Sequence, residues 1–246
     1  MEVPMKLLSA LALAALLLFS GAARAADHAM PLPSELMTLL EGDEANAPLQ
    51  KMECPTGKDQ HCVMAYRFDG PVTESTVKPA ISFLKSASES KIPVVMLEIN
   101  TSGGSVDDGF ELMRAIEMAS PKVVCVVDGE AASMGFFILQ SCDYRIMTKR
   151  SVLMAHQVMA RDIPSLNPTQ GQNLVDHLKV ICRAYAEGVS ERSGIPVQAF
   201  LDRLAKGDWN MNWDEALANH FIDQPFAGSG NKLYHNLLMT GKPGDK

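Results

Sequence analysis

The sequence predicts an α/β domain, with stacked βαβ units forming a mostly parallel sheet and helices following at the C-terminal side. Three observations carry that expectation. Strand-like and helix-like segments alternate from Val63 to Ala155, which is the order a parallel sheet with crossover helices requires. The runs VVMLEI and VVCVV are nearly continuous in apolar residues, as suits strands covered on both faces. From residue 171 onward, helical periodicity replaces the strand-like runs.

The elements follow in order. Lys6 precedes the apolar run Leu7 to Phe19, and Ala23-Arg24-Ala25 offers small residues on either side of Arg24 for a cut before Ala26. Residues 1–25 therefore read as an export signal. Membrane association would follow only from an uncleaved segment, and the run is short for an anchor, since a span needs ~20 apolar residues. Residues 26–62 carry many Pro, Gly, Ala and acidic residues and form an extended leader, with a short helix candidate from Leu36 to Leu40. The domain proper is expected over residues 63–224. Val63 to Phe68 is a strand ended by Asp69-Gly70-Pro71, and Thr73 to Ser88 is a helix marked by Val77, Ile81 and Leu84. Pro93 to Ile99 is the next strand, Thr101 to Ser105 a tight turn, and Val106 to Ala119 a helix. Val123 to Val127 is a strand, Ala131 to Ser141 a helix, and Tyr144 to Met147 and Val152 to Ala155 are short strands. Three helices are expected beyond them: 171–193, one opening at Pro196, and Trp213 to Asn219. The tail, 225–246, lacks periodicity.

Charge and cysteines narrow the function classes. Asp and Glu number 29 against 22 Lys and Arg, a formal net charge of -7, and no basic stripe flanked by aromatics occurs. A nucleic-acid partner is therefore not expected. Export permits disulfides, yet the five cysteines are an odd number, so at least one is free or bonded elsewhere. Cys54 and Cys62 bracket the polar loop PTGKDQH and are the best pair; Cys125, inside VVCVV, reads as a buried core thiol, and Cys142 with Cys182 is a further possible pair. A metal site at Cys54, His61 and Cys62 matches no zinc spacing.

Parallel sheets carry their sites beyond the carboxyl ends of the strands. Three groups fall there: Ser102-Gly103-Gly104, Gly129 through Ser133, and His156. Singly they read as a turn, a helix cap and a packed histidine. Together they offer a hydroxyl nucleophile in Ser133, a base in His156 and backbone N–H donors for an oxyanion at Gly104 and Met134. The orienting acid stays open among Asp128, Asp143, Asp176, Asp202, Asp208, Asp214 and Asp223.

Phe68 to Asp223 resembles the proteolytic subunit of the Clp protease, within the clan that also holds crotonases and signal peptide peptidases. The matching segments are Glu98-Ile99-Asn100-Thr101-Ser102-Gly103-Gly104-Ser105-Val106, Gly129-Glu130-Ala131-Ala132-Ser133-Met134-Gly135 and Met154-Ala155-His156-Gln157. The resemblance implies a Clp/crotonase-like fold, Ser133 as nucleophile, His156 as general base, and Gly104 with Met134 as the oxyanion hole. It also singles out Asp208 as the acid, counted back from Phe221-Ile222-Asp223, with Asp202 as runner-up. Three positions depart from the family pattern: Ser102 precedes the glycine pair where proline is usual, Val158 follows His-Gln in place of proline, and His220 replaces a glycine. Ser141 to Ile146 looks more like the crotonase version, and a serine–lysine dyad would need Lys149 or Lys179.

The function so implied is an exported serine peptidase, periplasmic or secreted, acting on a peptide or protein substrate without metal or organic cofactor. The long helix over 171–193 matches the family's ring-to-ring handle and implies a homo-oligomer, with Leu174, Leu178, Ile181, Ala184, Tyr185 and Val189 as its apolar stripe. The family's ATP-driven unfoldase is cytoplasmic, so none is expected here. The alternative is a non-catalytic module that keeps the fold for assembly or interaction.

Overall fold

The computed structural model describes residues 63–228 apart from 93 and 162. The expected signal segment, the leader with its Cys54–Cys62 pair, and the tail from residue 229 lie outside the described residues. Four parallel strands form the centre: β1 (Val63–Asp69), β2 (Val94–Thr101), β3 (Lys122–Ala132) and β4 (Tyr144–Thr148). They neighbour one another in chain order, with the short β7 (Gln224–Phe226) added parallel to β4. The helices α1 (Glu74–Glu89), α2 (Val106–Glu117) and α3 (Met134–Gln140) make the crossovers.

β3 is long because it serves two partners. Its first half pairs with β2 and β4, and its last residues, Glu130 to Ala132, pair with β5 (Val152–Ala155). β5 then takes an antiparallel partner, β6 (Trp209–Met211). The expected helix start at Ala131 is thereby corrected. Ala131 is paired with Thr101 and Leu153, so tertiary pairing overrides the helix preference of alanine, and α3 begins only at Met134. Regular structure also runs to Phe226, past the expected limit at residue 224.

The core explains the continuous apolar runs. Val95, Leu97 and Ile99 of β2 and Val123, Cys125 and Val127 of β3 face α1, α2 and α3, while Val94, Met96, Val124 and Val126 on the other face are also buried. All seven residues of α3 are buried, so the helix that follows Ser133 is locked into the core. Burying one such aliphatic side chain is worth roughly 1.5–3 kcal/mol.

Cys125 is not a free core thiol, and Cys142 does not pair with Cys182. Cys125 and Cys142 form a disulfide with Cα atoms 6.0 Å apart, leaving Cys182 as the free cysteine among the described residues. The crossover is the cause: α3 runs back over β3, so the turn after Gln140 returns to the middle of the strand it left. A buried cluster closes the same end. Arg145 donates to both carboxylate oxygens of Asp223 and to Gln140 Oε1, while Gln140 Nε2 donates to the Phe221 carbonyl.

The remaining helices are α4 (Pro168–Ser193), α5 (Val197–Leu204) and α6 (Trp213–Ala218). α4 starts earlier than the periodicity suggested because Asn167 and Gln170 form a reciprocal capping box with Pro168 at the first helical position. Its buried residues, Tyr185, Ala186, Val189 and Ser193, all lie in the C-terminal half. Val175 and Val180, in the other half, are 45% and 67% exposed. No helix among the described residues is long and apolar enough to cross a membrane.

Candidate active site

Ser133 stands where β3 gives way to α3, with φ 54° and ψ -117°. A non-glycine residue in that region costs about 1–3 kcal/mol and persists only where its surroundings hold it. Here both sides do so. The Ser133 N–H donates to the Met154 carbonyl of β5 at 2.8 Å, and the Ser133 carbonyl accepts from Phe136 N at 3.1 Å. Ser133 occupies the capping position of α3, yet its side chain makes no capping hydrogen bond. Instead its Oγ lies 2.7 Å from His156 Nε2.

His156 immediately follows β5, the strand whose Met154 carbonyl already holds Ser133. One short strand thus sets both partners. His156 Nδ1 lies 2.5 Å from the Gln157 carbonyl oxygen. A carbonyl can only accept, so Nδ1 carries the proton; in the neutral ring Nε2 is then the free lone pair, and Ser133 donates its hydroxyl hydrogen to it. That is the protonation pattern a base needs to take a proton from Ser133.

The glycine turn abuts the serine. A Cβ at Gly103 would stand 2.6 Å from Ser133 Cβ and 2.9 Å from Met134 N, and its φ is 91°. Neither the space nor the backbone admits a side chain. Gly104, at φ 155°, bridges to Val72, so that Val72 N donates to the Gly103 carbonyl and Ser105 N to the Val72 carbonyl. The N–H groups of Gly104 and of Met134 find no acceptor among the described residues. Two donors without an acceptor among the described residues therefore lie on segments that touch at Gly103 and Ser133.

Met134 is held from behind. Its side chain is 3% exposed, packs where Gly109 leaves no room for a Cβ, and takes the Tyr185 hydroxyl hydrogen on Sδ at 3.1 Å. Burial pushes the Tyr185 phenol up, so it remains a donor at every ordinary pH.

Asp208 is only half brought in. The antiparallel register ends with Ala155 paired to Trp209, and His156 and Asp208 are the residues that adjoin this last pair. The Asp208 side chain is exposed and no hydrogen bond or ion pair involves it among the described residues, while Nδ1 is taken by Gln157. Most other acids are engaged elsewhere: Asp128 with Thr148, Asp143 with Lys122, Asp176 with Lys179 and Asp223 with Arg145. Asp202, the runner-up, accepts from Gln198 on the exposed side of α5. The lysines offered for a dyad are also placed away: Lys149 lies over the Trp213 ring, 5.5 Å from its centroid, and Lys179 pairs with Asp176.

Sequence reasoning missed two participants. One is the Gln157 carbonyl, a backbone atom with no residue signature. The other is the inward face of α4, where Cys182 Sγ accepts from Val158 N at 3.4 Å three residues before Tyr185; those residues read only as a cysteine of unknown pairing and part of an apolar stripe.

The family model described as Clp protease matches residues 60–227. The ATP-dependent Clp protease proteolytic subunit 1 of Chlamydia muridarum is 37% identical over 168 residues, covering 63% of this chain and 82% of the relative. The subunit 1 of Chlamydia caviae is 34% identical over 160 residues, covering 61% and 79%. The ATP-dependent Clp protease proteolytic subunit of Streptococcus gordonii is 28% identical over 165 residues, covering 65% and 83%.

Proposed function

The chain belongs to the Clp protease family, and from that premise we propose that it is an exported serine endopeptidase working through Ser133, His156 and Asp208. The observation that carries this is the 2.7 Å contact between Ser133 Oγ and His156 Nε2 at a serine held in a disfavoured backbone conformation. Ser133 Oγ attacks the peptide carbonyl as its proton passes to His156 Nε2. The N–H groups of Gly104 and Met134 receive the oxyanion, and His156 returns the proton to the leaving amine; water then repeats the sequence on the acyl-enzyme. Asp208, which adjoins the last β5–β6 pair on the β6 side as His156 does on the β5 side, supplies negative charge to the imidazolium that forms. The set needs neither metal nor organic cofactor.

Export rests on the segment from Lys6 through Ala25, and a Cys125–Cys142 disulfide suits an oxidising compartment. We place the mature chain in the periplasm or outside the cell. Its relatives are named as ATP-dependent; an exported chain is separated from a cytoplasmic unfoldase, so its substrates are peptides or unfolded segments. Homo-oligomer formation through α4 is supported by the exposed Val175 and Val180, neither of them in the expected stripe, of which Tyr185 and Val189 are buried within the chain itself. The non-catalytic alternative draws on Asp208, exposed and without a hydrogen bond or ion pair among the described residues.

Full-length protein and Ser133→Ala are to be compared on an unfolded protein substrate and on short fluorogenic peptides. Cleavage that disappears with Ser133→Ala is the expected result. Equal cleavage by both proteins, or none by either at any protein concentration, overturns the reading.

A further inference from the structure

The described stretch between the end of β5 and the capping residue Asn167 is short of ties. Among the described residues, side chains or backbone of 156–166 enter three hydrogen bonds: His156 Nε2 with Ser133 Oγ, His156 Nδ1 with the Gln157 carbonyl, and Val158 N with Cys182 Sγ. The last two share one peptide unit. The Gln157 carbonyl and the Val158 N–H lie in the same rigid plane and point in opposite directions. Holding the N–H end therefore aims the carbonyl end.

We propose that this peptide orients the catalytic imidazole and that Cys182 is the positioning residue that holds it, an inference that rests on His156 being the general base. The Gln157 carbonyl sets which ring nitrogen bears the proton, and so leaves Nε2 to accept from Ser133. The thiol acts through that peptide and touches neither substrate nor the reacting atoms. Gln157 is itself exposed, and Val158 is half-buried against the core; packing anchors the Val158 side chain, while the hydrogen bonds at its two ends set the tilt of the peptide plane. On α4, Cys182 and Tyr185 are three residues apart and share one helix face. From that face Cys182 holds the base segment, and Tyr185 holds Met134, the proposed oxyanion donor. One helix face, half-buried at Cys182 and buried at Tyr185, thus braces both sides of the site.

The test compares full-length wild type with Cys182→Ser, Cys182→Ala and Cys182→Val. Serine keeps an acceptor; alanine removes it; valine removes it while filling the space. Thermal melting reports whether each variant folds. The expected result is a kcat reduced about 3–10-fold in the alanine and valine variants, in keeping with one lost hydrogen bond, with KM little changed and Cys182→Ser within about twofold of wild type by the same reasoning. A Cys182→Ser as impaired as Cys182→Val assigns the thiol to packing and overturns the proposal, as does wild-type kcat in all three. His156→Ala, run alongside, separates the two levels. If it remains fully active the base assignment fails; if it is inactive and the Cys182 variants are unchanged, only the positioning role fails.

Discussion

The two sides of the site are built differently. The nucleophile side is part of the core: Ser133 sits between a strand paired on both edges and a helix with every residue buried, and Gly103 is packed against it. The base side is a loop: His156 follows a four-residue strand, its neighbour Gln157 is exposed, and its orientation rests on a carbonyl and a thiol. Strain at Ser133 is tolerated because the core around it cannot relax. Orientation of His156 depends on a few hydrogen bonds of about 1 kcal/mol each. Disturbance of the first side next to the hydroxyl should therefore damage fold and chemistry together, whereas disturbance of the second should alter chemistry alone.

The largest effect is expected from Gly103→Ala. The new Cβ meets Ser133 Cβ and Met134 N inside contact distance, and φ 91° is strained for alanine. Peptidase activity should fall by about 100-fold or more, and stability by roughly 1–3 kcal/mol; paired kinetics and denaturant titration measure both. Wild-type activity in a folded Gly103→Ala would break the comparison at its rigid side.

Asp208→Asn should be milder. Where a carboxylate alone sets the tautomer of a catalytic histidine, its loss costs about 10⁴-fold in kcat. Here the Gln157 carbonyl already does so, and a loss of about 10–100-fold is expected, from the lost charge on the imidazolium. Steady-state kinetics decides: a loss as large as that of a tautomer-setting acid would mean that Asp208 displaces Gln157 in the working state.

The smallest effect on catalysis is expected from opening the Cys125–Cys142 disulfide. It ties the middle of β3 to the end of α3, away from the hydroxyl, and closes a short loop. The double variant Cys125→Ala/Cys142→Ala should lose about 2–4 kcal/mol of stability, with kcat essentially kept at temperatures where it is folded. A kcat that falls with the disulfide while the fold persists would show that the core side is softer than described.

The same contrast governs what was legible in the sequence. β2 and β3 announced themselves as apolar runs because both faces of each are buried, and the meeting of Ser133 with His156 was legible because strand ends converge on one edge of a parallel sheet. The start of α3 was misplaced because Ala131 and Ala132 favour helix locally, and only pairing with β5 shows otherwise. β6 and β7 are three residues each, too short for any periodicity. The Cys125–Cys142 pairing depends on how α3 folds back, a tertiary fact. Asp208 could not be chosen from seven aspartates by composition; the resemblance singled it out, and the β5–β6 ladder ends at Ala155 and Trp209, one residue short of His156 and Asp208. The Gln157 carbonyl was illegible in principle, since a backbone atom carries no residue identity.

The central claim is that Ser133 is a nucleophile activated by His156. Its most direct measurement is the rate and site of covalent labelling by a fluorophosphonate, followed by intact mass and peptide mapping on wild type, Ser133→Ala and His156→Ala. The account predicts a single adduct on Ser133, none on Ser133→Ala, and labelling slowed by about 100-fold or more in His156→Ala. An adduct on another residue, or labelling of Ser133 at the same rate without His156, would contradict it.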